Sequence, residues 1–88
     1  MKADHKKIKK RLSIAMGQLA GIQKMIDDDA YCIDVSNQLL AVIAALKKTN
    51  DMVVAAHIRA CVMESREEGK EEEKLAELEK LMARMSEE

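Results

Sequence analysis

The 88-residue chain contains no proline, no tryptophan and no phenylalanine; Tyr31 is its one aromatic residue, and it has three glycines and two cysteines. With no proline, and with glycine only at 17, 21 and 69, few positions can interrupt a helix. Without large aromatics the apolar content is Ala, Leu, Ile, Val and Met, which pack along helices but give so short a chain a modest core of its own. Two cysteines cannot build the disulfide framework that stabilises small secreted domains. Oligomerisation is the expected remedy. The longest apolar run, LLAVIAAL at 39–46, falls far short of the roughly 20 residues that span a bilayer. The start, MKADHKKIKKRL, lacks the apolar core of a signal peptide. A reducing cytoplasm is therefore expected, without membrane attachment; there, free thiols serve metal binding or redox sensing. An enzyme is not expected. No nucleophile–base–acid arrangement and no phosphate-binding glycine loop is present, and one short helical chain cannot enclose an apolar pocket.

The formal net charge of −1 hides a polar distribution. Lys2, Lys6, Lys7, Lys9, Lys10 and Arg11 crowd the first eleven residues against the single acid Asp4, while ten glutamates lie between Glu64 and Glu88. A basic N-terminal arm is what a phosphate-binding surface needs, and equally what a solvated helix end shows. The acidic end reads as a solvated face.

The fold class is all-α, a three-helix protomer with a long central helix, in a single domain over 1–88. Ile8, Leu12, Ala15, Leu19, Ile22 and Ile26 recur at steps of three and four, predicting a first helix over about 4–27. Gly17 and Gly21 lie four apart on one face, which suggests close approach of another helix. DDDA at 27–30 is the first joint, with Asp28 or Asp29 placed to cap the second helix. That helix is expected over about 30–65, on Val35, Leu39, Val42, Leu46, Val53 and Cys61. Gly69 marks the second joint. Leu75, Leu78, Leu81, Met82 and Met85 then stripe a third helix over about 70–86. A central helix of this length, about 50 Å, cannot be covered by its two short neighbours, so another subunit should lie against it.

HIRAC at 57–61 puts an imidazole and a thiol one helical turn apart, so His57 and Cys61 can chelate one ion. Taken alone, the pair is equally two small core side chains sharing a face. Cys32 is the only other thiol, nearly 40 Å away along the same helix. An antiparallel copy of the central helix would bring the second chain's Cys32 to His57 and Cys61, giving two equivalent sites per dimer. Two thiolates and one imidazole favour Cu(I), with Zn(II) as competitor wanting a fourth ligand. His5 is the one spare histidine, and it falls in an expected N-terminal extension.

Over essentially its whole length the chain resembles the copper-sensing branch of the CsoR/RcnR bacterial repressors. RLSIAMGQLAGIQKMI, YCIDVSNQLLAVIAAL and HIRACV carry the resemblance, and the spacing of Cys32, His57 and Cys61 matches the family's Cys–His–Cys pattern. The resemblance implies a disc-like dimer of dimers that binds operator DNA without metal and releases it when Cu(I) binds between subunits. It implies that Tyr31 and Glu77 hydrogen-bond the non-ligating nitrogen of His57. It implies Arg11 and Lys48 as DNA contacts, with Lys9 and Lys10 adding charge nearby. Lacking a helix-turn-helix motif, such binding rests on phosphate contacts and DNA shape. The chain departs from the pattern at Ile14 and Ile43, where many relatives carry Arg, and at Met16, where they often carry a polar or acidic group.

The leading expectation is thus a Cu(I)-responsive transcriptional repressor. Three alternatives stand beside it. One is a repressor sensing persulfide through Cys32 and Cys61, against which His57 argues. Another is a copper-binding helical assembly that has lost DNA recognition, motivated by Ile14 and Ile43. The last is a purely structural helical oligomer, which leaves the joint match at Tyr31, Cys32, His57, Cys61 and Glu77 unexplained.

Overall fold

The computed structural model describes residues 1–86; Glu87 and Glu88, the end of the acidic stretch, lie outside the described residues. These residues form three helices and no strand: α1 (His5–Asp27), α2 (Cys32–Glu68) and α3 (Glu71–Ser86). The Asp4 carboxylate caps α1, accepting from the backbone N–H groups of Lys6 at 3.0 Å and Lys7 at 3.2 Å. His5 is therefore the first residue of α1 and not part of an extension.

The first joint is built differently from the expected cap. Asp28 closes α1, its N–H donating to the Lys24 carbonyl at 2.9 Å. Asp29 takes a left-handed backbone, φ 55°. The N–H groups of Asp29 and Ala30 then reach back to Ile26 and Met25 at 3.0 and 2.9 Å. This is the double backbone closure of a helix C-terminus, usually made with glycine. Both aspartates finish α1, and Tyr31 stands at the N-cap of α2 without a side-chain cap hydrogen bond. At the far end of α2, Gly69 (φ 68°) supplies the left-handed residue, and the Lys70 N–H donates to the Ser65 carbonyl at 3.1 Å.

α1 and α3 each pack on α2. Ile8, Ala15 and Ile22 of α1 are buried, as are Val42 and Thr49 of α2; the Thr49 hydroxyl donates to the Ala45 carbonyl at 2.9 Å. Ala3 is buried too, because Lys2 anchors the N-terminal segment to α2 through Glu64, Nζ to Oε1 2.7 Å. Lys2 therefore leaves the basic arm. Gly17 and Gly21 have nothing within 4 Å of where a Cβ would stand, so no helix of the same chain approaches them. They lie about 180° and 140° around α1 from Ile8 at 3.6 residues per turn, turned away from the seam.

The protomer is an open slab of 58 × 28 × 12 Å with a radius of gyration of 17.7 Å. A compact chain of this length would have a radius of gyration of about 12 Å. Among the described residues no large side chain is fully buried, while Leu12, Leu19, Ile33, Leu39, Leu40 and Leu46 stay exposed. A single chain cannot cover its own apolar stripes.

Candidate metal centre

The uninterrupted α2 carries helical phase from Cys32 to Cys61. At about 100° per residue, His57 lies about 20° to one side of Cys32 and Cys61 about 20° to the other. The three candidate ligands thus share one narrow strip of one helix. Along its length the strip separates them: Cys32, exposed at the first residue of α2, lies about 38 Å from His57 at 1.5 Å per residue. Tyr31 stays with Cys32 and is exposed. The structure therefore brings together His57, Cys61 and Glu77, and leaves Cys32 and Tyr31 at the far end of the slab.

His57 and Cys61 meet because i and i+4 stack on a helix face; Cys61 is buried and His57 half-buried. Glu77 arrives from α3, which folds back along α2. Its Oε1 lies 3.0 Å from Nε2 of His57, and Sγ of Cys61 lies 3.2 Å from the same nitrogen. One ring nitrogen holds either a proton or a lone pair, so it cannot donate to the Glu77 carboxylate and accept from the Cys61 thiol at the same time. Lys74 approaches the other carboxylate oxygen, Nζ to Oε2 3.6 Å. The hydrogen bond from His57 and then the Lys74 charge hold the Glu77 carboxyl below its ordinary 4.5. Glu77 thus stands at hydrogen-bond distance from Nε2 of His57, while Tyr31, at the far end of α2, does not reach it within the chain. Cys61 faces that same nitrogen.

Beside His57 and Glu77 opens a groove of about 630 Å³, floored by Val53, Val54 and Leu81 and bordered by Lys2, Lys80 and Arg84. Lys2 was read only as part of the basic N-terminal arm; its place at this edge rests on a long-range ion pair to Glu64, which no local pattern reveals.

The basic residues gather elsewhere. Lys7, Lys10, Arg11, Ile14 and Met52 line a second groove, of about 500 Å³, between α1 and α2. Lys48, one turn before Met52, lies about 180° around α2 from His57 by helical phase. Lys9 lies about 160° around α1 from Arg11, so it does not join that groove, whereas Lys7 does. Ile14, about half exposed, sits among these cations. Ile43 does not: it lies about 20° from Cys32 in phase, on the cysteine strip. Ile14 and Ile43 thus fall on opposite flanks.

Comparison with known proteins bears on the whole chain. A family model described as "Metal-sensitive transcriptional repressor" matches residues 4–84. The copper-sensing transcriptional repressor RicR of Mycobacterium tuberculosis is 40% identical over 78 residues, 86% of this chain and 81% of its own length. The copper-sensing transcriptional repressor CsoR of Mycobacterium ulcerans is 43% identical over 51 residues, and that match spans only 44% of its length. Among solved structures, the nickel-responsive transcriptional regulator InrS superposes with a TM-score of 0.87 at 28% identity, covering 97% of this chain and 96% of that one. The copper-sensing repressor CsoR with Cu(I) from Geobacillus thermodenitrificans gives 0.82 at 36% identity, covering 92% and 84%.

Proposed function

Since this chain belongs to the metal-sensitive transcriptional repressor family, whose members are repressors and not enzymes, we propose that it is a Cu(I)-responsive repressor whose metal site is closed between two subunits. One observation carries this reading: Cys32, His57 and Cys61 share one strip of α2, yet Cys32 stands at its far end. An antiparallel copy laid along the strip sets Cys32 of each chain against His57 and Cys61 of the other. The donor set fits a soft ion only in that pairing, because a single chain offers one thiolate there and Cu(I) selects several. The exposed Leu39, Ile43 and Leu46 lie along the same strip and supply its apolar contact.

In this reading Cu(I) supplies a bond that joins two chains. Glu77 holds His57 in orientation, and Tyr31 comes with Cys32 from the partner chain to the same imidazole. Lys74 fixes the carboxylate, so α3 registers what happens at His57. Arg11, Lys10, Lys7 and Lys48, on the opposite flank of α2, bind operator DNA through phosphates, with affinity that falls steeply with salt. The turned-out Gly17 and Gly21 leave α1 open to a further copy, consistent with a dimer of dimers. Metal and DNA then couple through the helix they share, and linkage requires each to weaken the other by the same factor, typically about 1–3 kcal/mol.

The test is fluorescence anisotropy on DNA from upstream of the protein's own operon, under anaerobic conditions. Tight apo binding, abolished by one equivalent of Cu(I) per chain and no longer abolished in His57→Ala, is the expected result. Release by persulfide alone would favour thiol sensing. Cu(I) uptake by a protein that ignores this DNA at low salt would count against repression of its own operon.

A further inference from the structure

Three ligand-type atoms converge inside one chain: Nε2 of His57, Sγ of Cys61 and Oε1 of Glu77 all lie within 4.8 Å of one another. The geometry points to a second metal-binding mode, in which a borderline divalent ion of the Zn(II) class is chelated within a single protomer by Cys61, His57 and Glu77, without Cys32.

Two anion-capable groups aim at one nitrogen. A proton on Nε2 satisfies only one of them, whereas a cation at the point common to all three satisfies both and takes the nitrogen lone pair. The spacing suits such an ion. Zinc bonds of 2.3 Å to sulfur and about 2.0–2.1 Å to nitrogen and oxygen, at tetrahedral angles, put sulfur about 3.5 Å and oxygen about 3.4 Å from the nitrogen. The distances here are 3.2 and 3.0 Å, a few tenths of an ångström short of those spacings, with sulfur and carboxylate oxygen within 4.8 Å of each other. One thiolate, one imidazole and one carboxylate form a mixed set, which suits Zn(II), Co(II) or Ni(II) better than the thiolate-seeking Cu(I). Lys74 holds Oε2 and leaves Oε1 facing the site. The groove beside His57 and Glu77 leaves room for water in a fourth position.

The two modes use the same His57 and Cys61 and so exclude each other. The divalent mode clips α3 to α2 in one chain and makes no bond to a partner. A Zn(II)-class ion therefore acts as an antagonist: it occupies two of the three Cu(I) ligands, leaves DNA bound and raises the copper needed for release.

The test is an anaerobic Co(II) titration followed by Zn(II) competition, using full-length protein and its Cys32→Ser, Cys61→Ser and Glu77→Gln variants. Glutamine keeps a hydrogen bond to His57, and thermal melts establish that α3 stays docked. Cys32→Ser is expected to bind one Co(II) per chain with wild-type affinity, tetrahedral d–d bands and a thiolate-to-Co(II) charge-transfer band. Cys61→Ser is expected to lose the charge-transfer band. Glu77→Gln is expected to weaken binding at least tenfold and alter the d–d bands while melting like the wild type. Loss of Co(II) binding in Cys32→Ser would overturn the proposal, as would a Glu77→Gln variant with unchanged affinity and bands. Cu(I) titration of the same Cys32→Ser protein reports separately on the intersubunit reading: weakened Cu(I) beside intact Co(II) supports both, and intact Cu(I) counts against the intersubunit site alone.

Discussion

At the scale of single residues, the imidazole of His57 is the point on which both metal modes turn. It is fed from two elements, by Cys61 one turn along α2 and by Glu77 on α3. Lys74→Met removes the cation that steadies Glu77 and leaves every ligand in place. Its expected effect is a loss of metal affinity of about tenfold, the low end of the 10–100-fold typical of such outer groups, without loss of stoichiometry, checked by competition titration. The Lys2–Glu64 pair makes a pH prediction. A hydrogen bond and opposite charge hold Glu64 below its ordinary 4.5 and raise Lys2 above its ordinary 10.5. The carboxylate's contribution is full above 4.5 and is lost as pH falls through its lowered value; the ammonium's is full below 10.5 and is lost as pH rises through its raised value. The N-terminal anchor should thus hold throughout the range between them. NMR shifts of Ala3 should stay level across that range and move only outside it, and Glu64→Gln should abolish the transition on the acid side.

At the scale of elements, each helix end and each flank of α2 makes its own claim. Asp29 holds the left-handed position where glycine is usual, at a cost to an L-residue of about 1–2 kcal/mol, partly offset by the greater chain entropy glycine loses on folding. Asp29→Gly should therefore raise stability by roughly 0.5–1 kcal/mol in chemical denaturation. The flanks of α2 separate the two isoleucines that replace family arginines. Ile14→Arg adds a cation beside Arg11 and Lys10, and should strengthen DNA binding and steepen its salt dependence by about 0.9 in log–log slope per phosphate gained. Ile43→Arg puts charge on the cysteine strip, and should weaken self-association and Cu(I) uptake without that gain. Anisotropy across a salt series separates the two. The three helices were legible because each apolar stripe keeps a step of three and four and no proline intervenes. The first joint was misread because an aspartate before a helix signals an N-cap just as readily as it ends the preceding helix; only the φ of Asp29 tells them apart. The flank of Ile43 was not legible for a related reason. Sequence shows which residue replaces an arginine, whereas the phase carried down an unbroken α2 shows which flank that residue occupies.

At the scale of the whole molecule, a slab 12 Å thick leaves leucines exposed on its faces, which is the surface the proposed second copy would cover. The convergence of Glu77 on His57 entered the reading through resemblance, since no spacing rule links positions on two different helices. The contacts of Lys2 were not legible at all, because they depend on where the chain start lands on α2. On the proposed reading, stability and Cu(I) binding both depend on a second copy, whereas the divalent mode does not. Sedimentation at increasing dilution should show stability falling with concentration, as expected when folding and association are linked. The central claim is that one metal site takes Cys32 from one chain and His57 with Cys61 from another. The most direct measurement is Cu(I) affinity in a mixed dimer, isolated with two tags, of a Cys32→Ser chain and a Cys61→Ser chain. Each parent alone should lack the tight site, and the mixed dimer should regain one such site. Tight binding in the Cys32→Ser parent, or none in the mixed dimer, would contradict a site closed between two chains.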